Sequence, residues 1–227
     1  MKSHSLLSLL HLCDSLFPIG GFGYSDGLES ATSRGIVTTP DDLARWLDTC
    51  LDEIIGRADG PTLLGAWTAF RARDWEALAR LDREATALRP SSATRRSSRA
   101  MGLRLMTTWQ TLYPDEGVER VLALAACDTV GPALPIAFAC ASASAGIGRR
   151  EAAAGFCYTR LAATISSAMR LMRLGQTDAH RLLARSLDRV PAAIDLMIAR
   201  ATIESFAPAM DIAMMTQQYL HSRLFRS

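Results

Sequence analysis

Lysine is almost absent from this chain. Lys2 is the only one, so the basic charge of the 227 residues is carried nearly wholly by arginine, which forms planar, bidentate pairs that lysine cannot. Net charge of one sign is lacking too: the formal charge is only +2. That balance argues against a dedicated nucleic-acid binder and leaves room for a local basic patch. Cysteine is sparse and unpaired in pattern. Cys13, Cys50, Cys127, Cys140 and Cys157 are an odd number without CxxC spacing, which fits neither a disulfide framework nor a zinc site. A reducing cytoplasm suits them, with most thiols serving as small buried apolar groups.

Catalytic signatures are missing as well. Gly20-Gly21-Phe22-Gly23 lacks the Gly-Lys-Ser/Thr that would hold phosphate and magnesium. No GxSxG elbow and no HExxH zinc motif occurs. No stretch alternates apolar and polar residues with β-branched enrichment, as a half-buried strand would. The N-terminus shows no signal peptide, since its apolar stretch is broken by His11 and Asp14. The one long uncharged run, residues 129–148, holds Gly131, Pro132 and Pro135 and is built of Ala and Ser rather than Leu. It reads as a buried helix with small faces, not a membrane span.

What the chain does have is a shaped segment at residues 15–29, Ser-Leu-Phe-Pro-Ile-Gly-Gly-Phe-Gly-Tyr-Ser-Asp-Gly-Leu-Glu. Four glycines and a proline among apolar and aromatic residues suit a loop that needs left-handed backbone or close approach. It should turn into a helix near Ser25. Before it, Leu6, Leu7, Leu9, Leu10 and Leu12 predict a short helix. After it, Thr39-Pro40-Asp41-Asp42 is a strong helix start, with a capping hydroxyl, proline in the first turn and acids on the helix dipole. Leu43, Trp46, Leu47, Cys50, Leu51 and Ile54 then follow at helical spacing until Gly60-Pro61, where a break is expected.

Further helices are predicted over 62–73, 75–88, from about 93, 118–127, the Ala/Ser run, 149–174 and 178–187. Gly175 is the expected stop of one, and Pro191 the expected start of another. The expectation is an all-α, single-domain helical bundle of about ten helices over residues 1–227, with the N-terminal segment and C-terminal tail free until a partner holds them.

Arg89, Arg95, Arg96, Arg99 and Arg104 fall in one stretch with no acid between them. Either this is a solvated face, or a helix end that meets an acidic partner or organises buried carboxylates. His11, Cys13 and Asp14 are close in sequence, but residues two apart in a helix do not share a face. Met210, Met214 and Met215 fit packing better than metal ligation. The chain closes on Arg223-Leu224-Phe225-Arg226-Ser227, an apolar pair flanked by guanidiniums. Such an end either docks on its own body or anchors a partner with an apolar pocket and an acidic rim.

Four blocks now carry a resemblance. Pro-Ile-Gly-Gly-Phe-Gly-Tyr-Ser-Asp-Gly-Leu-Glu at 18–29, Thr-Arg-Arg-Ser-Ser-Arg-Ala-Met-Gly at 94–102, Ala-Met-Arg-Leu-Met-Arg-Leu-Gly-Gln-Thr at 168–177 and the Arg-Leu-Phe-Arg-Ser tail occur in the order of the UreF family of urease accessory proteins. The chain resembles that family over nearly its whole length. Two positions depart from it: the family commonly has a His before the segment that here reads Gly131-Pro132-Ala133-Leu134-Pro135, and many members have His-Glu where this chain has Gln217-Gln218.

The resemblance implies a chaperone without catalytic activity, required for nickel insertion into the urease apoprotein. It implies a bridge between a UreD/UreH-type scaffold and a UreG-type GTPase, usually as a homodimer in a larger cytoplasmic complex. Nickel and GTP would be handled by the partner complex, with no cofactor and no metal site of the chain's own, and with no nucleic-acid or membrane partner. On this basis Tyr24, Arg95, Arg99, Arg170 and Gln176 are expected at partner surfaces, as are Arg223, Leu224, Phe225 and Arg226. Pro18, Gly20, Gly21 and Phe22, with Ser25, Gly27 and Glu29, are expected to shape the loop. Two other readings remain from the residues alone: a helical nucleic-acid-binding regulator using Arg95, Arg96 and Arg99, or a helical enzyme with an unrecognised site.

Overall fold

The computed structural model describes residues 3–200 and 202–225. Its α-helices are α1 (Ser3–Cys13), α2 (Leu28–Ser33), α3 (Pro40–Thr49), α4 (Gly60–Ala72), α5 (Trp75–Ala87), α6 (Ser92–Leu112), α7 (Glu116–Ala126), α8 (Leu134–Ser144), α9 (Arg149–Leu171), α10 (Gln176–Ala199) and α11 (Pro208–Thr216). Short 3-10 turns at Gly21–Gly23 and Gln217–Tyr219 precede α2 and follow α11. There is no strand among the described residues, and the fold is the all-α bundle that the sequence predicts. None of the described helices is long and apolar enough to cross a membrane.

The Ala/Ser-rich helix α8 is the centre. Every residue from Leu134 to Ala143 is buried, and α4, α6, α7 and α9 pack around it. Ala137, Ala139, Ala141 and Ala143 present almost no bulk, so the neighbouring helices approach closely. The amphipathic helices outside keep their apolar faces on this core: Met101, Leu105 and Trp109 of α6, and Phe156, Leu161 and Ile165 of α9. Trp109 donates its indole N–H to Ser144 Oγ at 3.0 Å, so its polar edge is satisfied in the interior.

Nothing within α8 caps its start. Asp82 of α5, itself buried, does so from outside. Its carboxylate accepts the N–H of Gly131 at 2.6 Å and of Ala133 at 2.8 Å, while Ser98 Oγ accepts that of Leu134 at 3.0 Å. Removing the carboxylate leaves two buried donors unsatisfied, at about 1–3 kcal/mol each. Asp82→Ala should therefore lower the melting temperature by roughly 5–15 °C, at about 2–4 °C per kcal/mol for a chain this size. A thermal melt by circular dichroism that stays within about 2 °C of wild type would contradict this role of Asp82.

Four expectations are corrected. Gly60-Pro61 does not break the chain. Thr39 and Asp42 form the expected capping box, but the helix then runs on through a π-helical stretch, Cys50–Asp59, into α4. Gly60 N–H bonds Ile55 O, five residues back. The wider turns shift the inward position by one, so Ile55 is fully buried and Ile54 only partly. The glycine serves close approach instead, because a Cβ on it would lie 2.4 Å from Met197 Sδ of α10. Pro191 does not start a helix either. It sits inside α10 on the exposed face, where water can satisfy the carbonyl it leaves free. Gly175 is not a stop: α9 ends at Leu171, and Gly175 is the residue before α10, with φ −70°. The fourth correction is the tail. Phe225, expected to lie free, is buried at 3% exposure, for reasons given below.

Candidate functional site

The loop is built on aromatic anchors. Asp14 Oδ1 accepts the N–H of Leu16 at 2.7 Å and turns the chain out of α1. Phe17 then drops into the interior beside Trp109 and His11. The Ile19 N–H bonds Phe17 O at 2.8 Å around the exposed Pro18. Gly20 takes φ 76°. Gly21 to Gly23 form the 3-10 turn with Phe22 between them by its backbone; the Phe22 side chain lies outside what is described. Tyr24 is extended and partly buried, and its carbonyl accepts from Ser167 Oγ of α9 at 3.3 Å.

Asp26 and Gly27 then reverse the chain with two successive left-handed residues, φ 48° and 84°. Asp26 is not a glycine, and its conformation carries strain. It is held by a charge-assisted pair with Arg160 of α9, both side chains mostly buried. Burial disfavours the Arg160 charge, but the Asp26 carboxylate, through its charge and its hydrogen bond, together with Cys50 and Asp59 outweighs this and keeps the guanidinium more firmly protonated than usual. Gly27 meets α11 face to face: a Cβ there would stand 2.8 Å from Met214 N and 3.1 Å from Ala213 C.

Glu29, one residue into α2, is 6% exposed. A buried carboxylate needs donors, and here they come from the other end of the chain. Glu29 accepts from Gln217 Nε2 at 3.1 Å, from the backbone N–H of Leu224, and from that of Phe225 at 3.2 Å. Gln217, fully buried, in turn accepts from Ser25 Oγ at 3.1 Å. Ser30 Oγ and Thr216 Oγ1 add a bond at 3.1 Å. The guanidinium of Arg170 lies over the Phe225 ring, 4.5 Å from its centroid, a cation–π contact that shields the buried ring. The first and last sequence blocks are thus one structural unit, with Glu29 as its clasp.

The structure therefore brings Tyr24, Ser25, Gly27 and Glu29 together with Arg170, Leu224 and Phe225. Phe225 points inward while Leu224 and Arg223 are exposed; Arg226 lies outside the described residues. Gln176 is exposed at the first position of α10 and makes none of these contacts. Arg95 and Arg99 lie elsewhere, on α6. Arg95 donates to the carbonyls of Arg89 and Pro90 at 2.5 and 3.0 Å, closing the α5–α6 turn. Arg99 pairs loosely with Asp128 at 3.5 Å and lies against Gly131. Sequence reasoning missed Gln217, whose amide both accepts and donates here, and Asp26 with Arg160. The Asp-Gly pair inside the loop motif was the available signal for the left-handed turn.

The face beside this unit is unusual. In α1 the polar Ser5 and Ser8 point inward, Ser5 Oγ donating to Gly146 O at 3.3 Å. Leu6, Leu7 and Leu10 point out, at 43%, 65% and 57% exposure. A groove of ≈ 660 Å³ between α1 and α9 is lined by Leu9, Leu10, Tyr158, Ala162 and Ser166 and runs to Arg170. Leu12 of the same helix is buried in the core and Leu9 packs on it, so α1 is apolar on both sides, and its three exposed leucines are left for something else to cover.

Of the sequence's metal candidates, His11 Nδ1 is 2.7 Å from Tyr113 OH, and Cys13 Sγ donates to Gly155 O at 3.6 Å. Among the described residues no group of three or more His, Cys, Asp or Glu could hold a metal ion. Burial pushes the thiols of Cys13, Cys50 and Cys157 up to about 12 and raises that of Cys140 as well. Only Cys127 is exposed. Ellman's reagent at pH 8 should accordingly titrate Cys127 fast in the native protein, Cys13 at the α1–α9 groove slowly at most, and all five thiols in denaturant. Fast reaction of Cys50, Cys140 or Cys157 in the native protein would show that the interior opens far more readily than this packing allows.

A sequence model of the UreF family matches residues 37–187. A Polaromonas protein described as urease accessory protein UreF is 30% identical over 229 residues, covering 100% of this chain and 97% of the relative. The protein of the same description from Granulibacter bethesdensis is 33% identical, covering 98% and 94%, and that from Lachnoclostridium phytofermentans 30%, covering 98% of each. The likeness thus extends beyond the matched span to the loop and tail at the two ends of the chain, which this structure joins through Glu29, and the chain belongs to the UreF family of urease accessory proteins.

Proposed function

We propose that this protein works in urease maturation as a non-catalytic adaptor. It joins a UreD/UreH-type scaffold to a UreG-type GTPase in the cytoplasm, as a dimer within the larger assembly. Nickel and GTP belong to the partners, and this chain sets the geometry in which nickel passes to the urease apoprotein. The observation that carries the reading is the set of exposed leucines on α1 at the α1–α9 groove, which ends at Arg170, the residue that covers the Phe225 ring of the clasped tail. Leu10 and Arg170 both line the α1–α9 groove, and Leu6 and Leu7 of the same helix are exposed, which gives an apolar surface with a cationic edge that suits a protein partner. Phe225 anchors the tail to the body, and Leu224 faces outward at 54% exposure.

Reconstitution with purified scaffold and GTPase, with and without GTP and nickel, tests this. Co-elution of all three on size exclusion is expected, with scaffold binding lost on deleting residues 220–227 and weakened by Leu224→Ala. If neither protein co-elutes with the full chain, the reading is wrong.

A further inference from the structure

A second surface lies on α6. Its 21 residues contain no Asp or Glu. Of the five arginines between residues 89 and 104, two are engaged internally: Arg89, just before α6, with the buried Asp59 and Ala85 O, and Arg95 with two backbone carbonyls. The other three, Arg96, Arg99 and Arg104, are exposed on one helix face together with Ala100 and with Leu103 at 46% exposure. At 1.5 Å per residue they span about 12 Å. Arg99 has the loose partner Asp128, itself 91% exposed, and Arg96 and Arg104 have no carboxylate partner among the described residues. The lower end of this stripe touches the loop: a Cβ on Gly20 would lie 2.6 Å from Arg104 Nη1.

We propose that this face of α6 docks an acidic protein surface, carboxylates pairing with Arg96, Arg99 and Arg104 around an apolar seat for Leu103. Guanidiniums bind carboxylates bidentately and are favoured at interfaces where they lose water. Isolated surface pairs contribute little, but three cations along one face, two of them without a carboxylate partner among the described residues and one only loosely paired, with an apolar centre and small Ala100 permitting close approach, steer and orient a partner of opposite charge. The apolar centre favours protein over nucleic acid, whose backbone would meet only three cations here. The surface is distinct from the α1–α9 groove, and Arg104 puts it in contact with the glycine-rich loop.

The inference rests on the urease-maturation reading for its choice of probes. Scaffold and GTPase are titrated separately onto the full chain at about 50 and about 300 mM salt, with a short DNA duplex in parallel. R96E/R99E/R104E should weaken one of the two proteins about tenfold or more, and Leu103→Ser about three- to tenfold. Arg181→Glu, on the far-off exposed face of α10, should change nothing. Should the triple variant fail to fold, Arg96→Ala and Arg104→Ala singly should each cost about two- to fivefold. The inference is overturned if both proteins bind the variants as they bind wild type, if neither binds wild type, or if only the duplex does. Urease activation in cells separates the two levels: activation by wild type that the variants leave unchanged sinks this surface alone, and no activation by wild type sinks the functional reading.

Discussion

Gly27→Ala is expected to lower the melting temperature by roughly 5–12 °C, at about 2–4 °C per kcal/mol. Two costs add. At φ 84° a side chain is strained by about 1 kcal/mol. The new methyl would also meet the backbone of α11, with Met214 N at 2.8 Å and Ala213 C at 3.1 Å. Backbone cannot swing aside as a side-chain end does, and overpacking of this kind costs about 1–3 kcal/mol. Gly35→Ala is the control. Gly35 has φ 72°, yet nothing lies within 4 Å of its would-be Cβ, so only the strain is felt, about 2–4 °C. Calorimetry on the pair separates backbone conformation from close approach. Equal, small losses would show that α11 is not seated against the loop as described.

Glu29→Ala should leave the body nearly as stable as before and free the tail. The substitution removes the acceptor for Gln217 Nε2 and for the N–H groups of Leu224 and Phe225. Bonds to a charged acceptor contribute about 1.5–3 kcal/mol each. Those donors need not stay buried, because the segment can detach and give them to water; release is the cheaper response, and it is local. Trypsin reads it directly. The Arg223–Leu224 bond is held in wild type between an exposed arginine and a clasped backbone. In Glu29→Ala, cleavage there should be at least about tenfold faster by mass spectrometry, with melting lowered by no more than about 4 °C. Equal cleavage rates would mean that Glu29 does not hold the tail.

How much of this was legible in the sequence depended on the range of the interaction. The start of α3 was fully legible, because Thr39, Pro40 and Asp42 act within one turn. The burial of α8 was legible from composition, since an uncharged Ala/Ser run has no surface use. The π-helical stretch was not. Gly60-Pro61 reads locally as an ordinary break, whereas in the fold Gly60 N–H bonds Ile55 O and the glycine admits Met197 of α10, a tertiary contact no local pattern shows. Pro191 misled for the same reason: its cost is set by whether the freed carbonyl faces water, which only the folded helix decides.

At the site, the glycines of the loop and the apolar tail each stood out, yet their pairing did not, because Glu29 and Phe225 are 196 positions apart. Gln217 stood out only as a departure from the His-Glu that many family members have, whereas its amide satisfies Ser25 and Glu29 together. The arginines of α6 looked alike in sequence. Only the folded chain separates Arg89 and Arg95, which close the α5–α6 turn, from Arg96 and Arg104, which face solvent.

The most direct test of the account is urease activity in a host lacking its own UreF-type protein. Supplied with this chain and nickel, the host should regain activity. Glu29→Ala, expressed to the same level, should restore at most about a tenth of it, because the loop–tail unit would no longer present Leu224 to the proposed scaffold partner. Failure of the wild-type chain to restore activity, or full restoration by Glu29→Ala, would contradict the claim that the clasped loop and tail are the working surface of this protein.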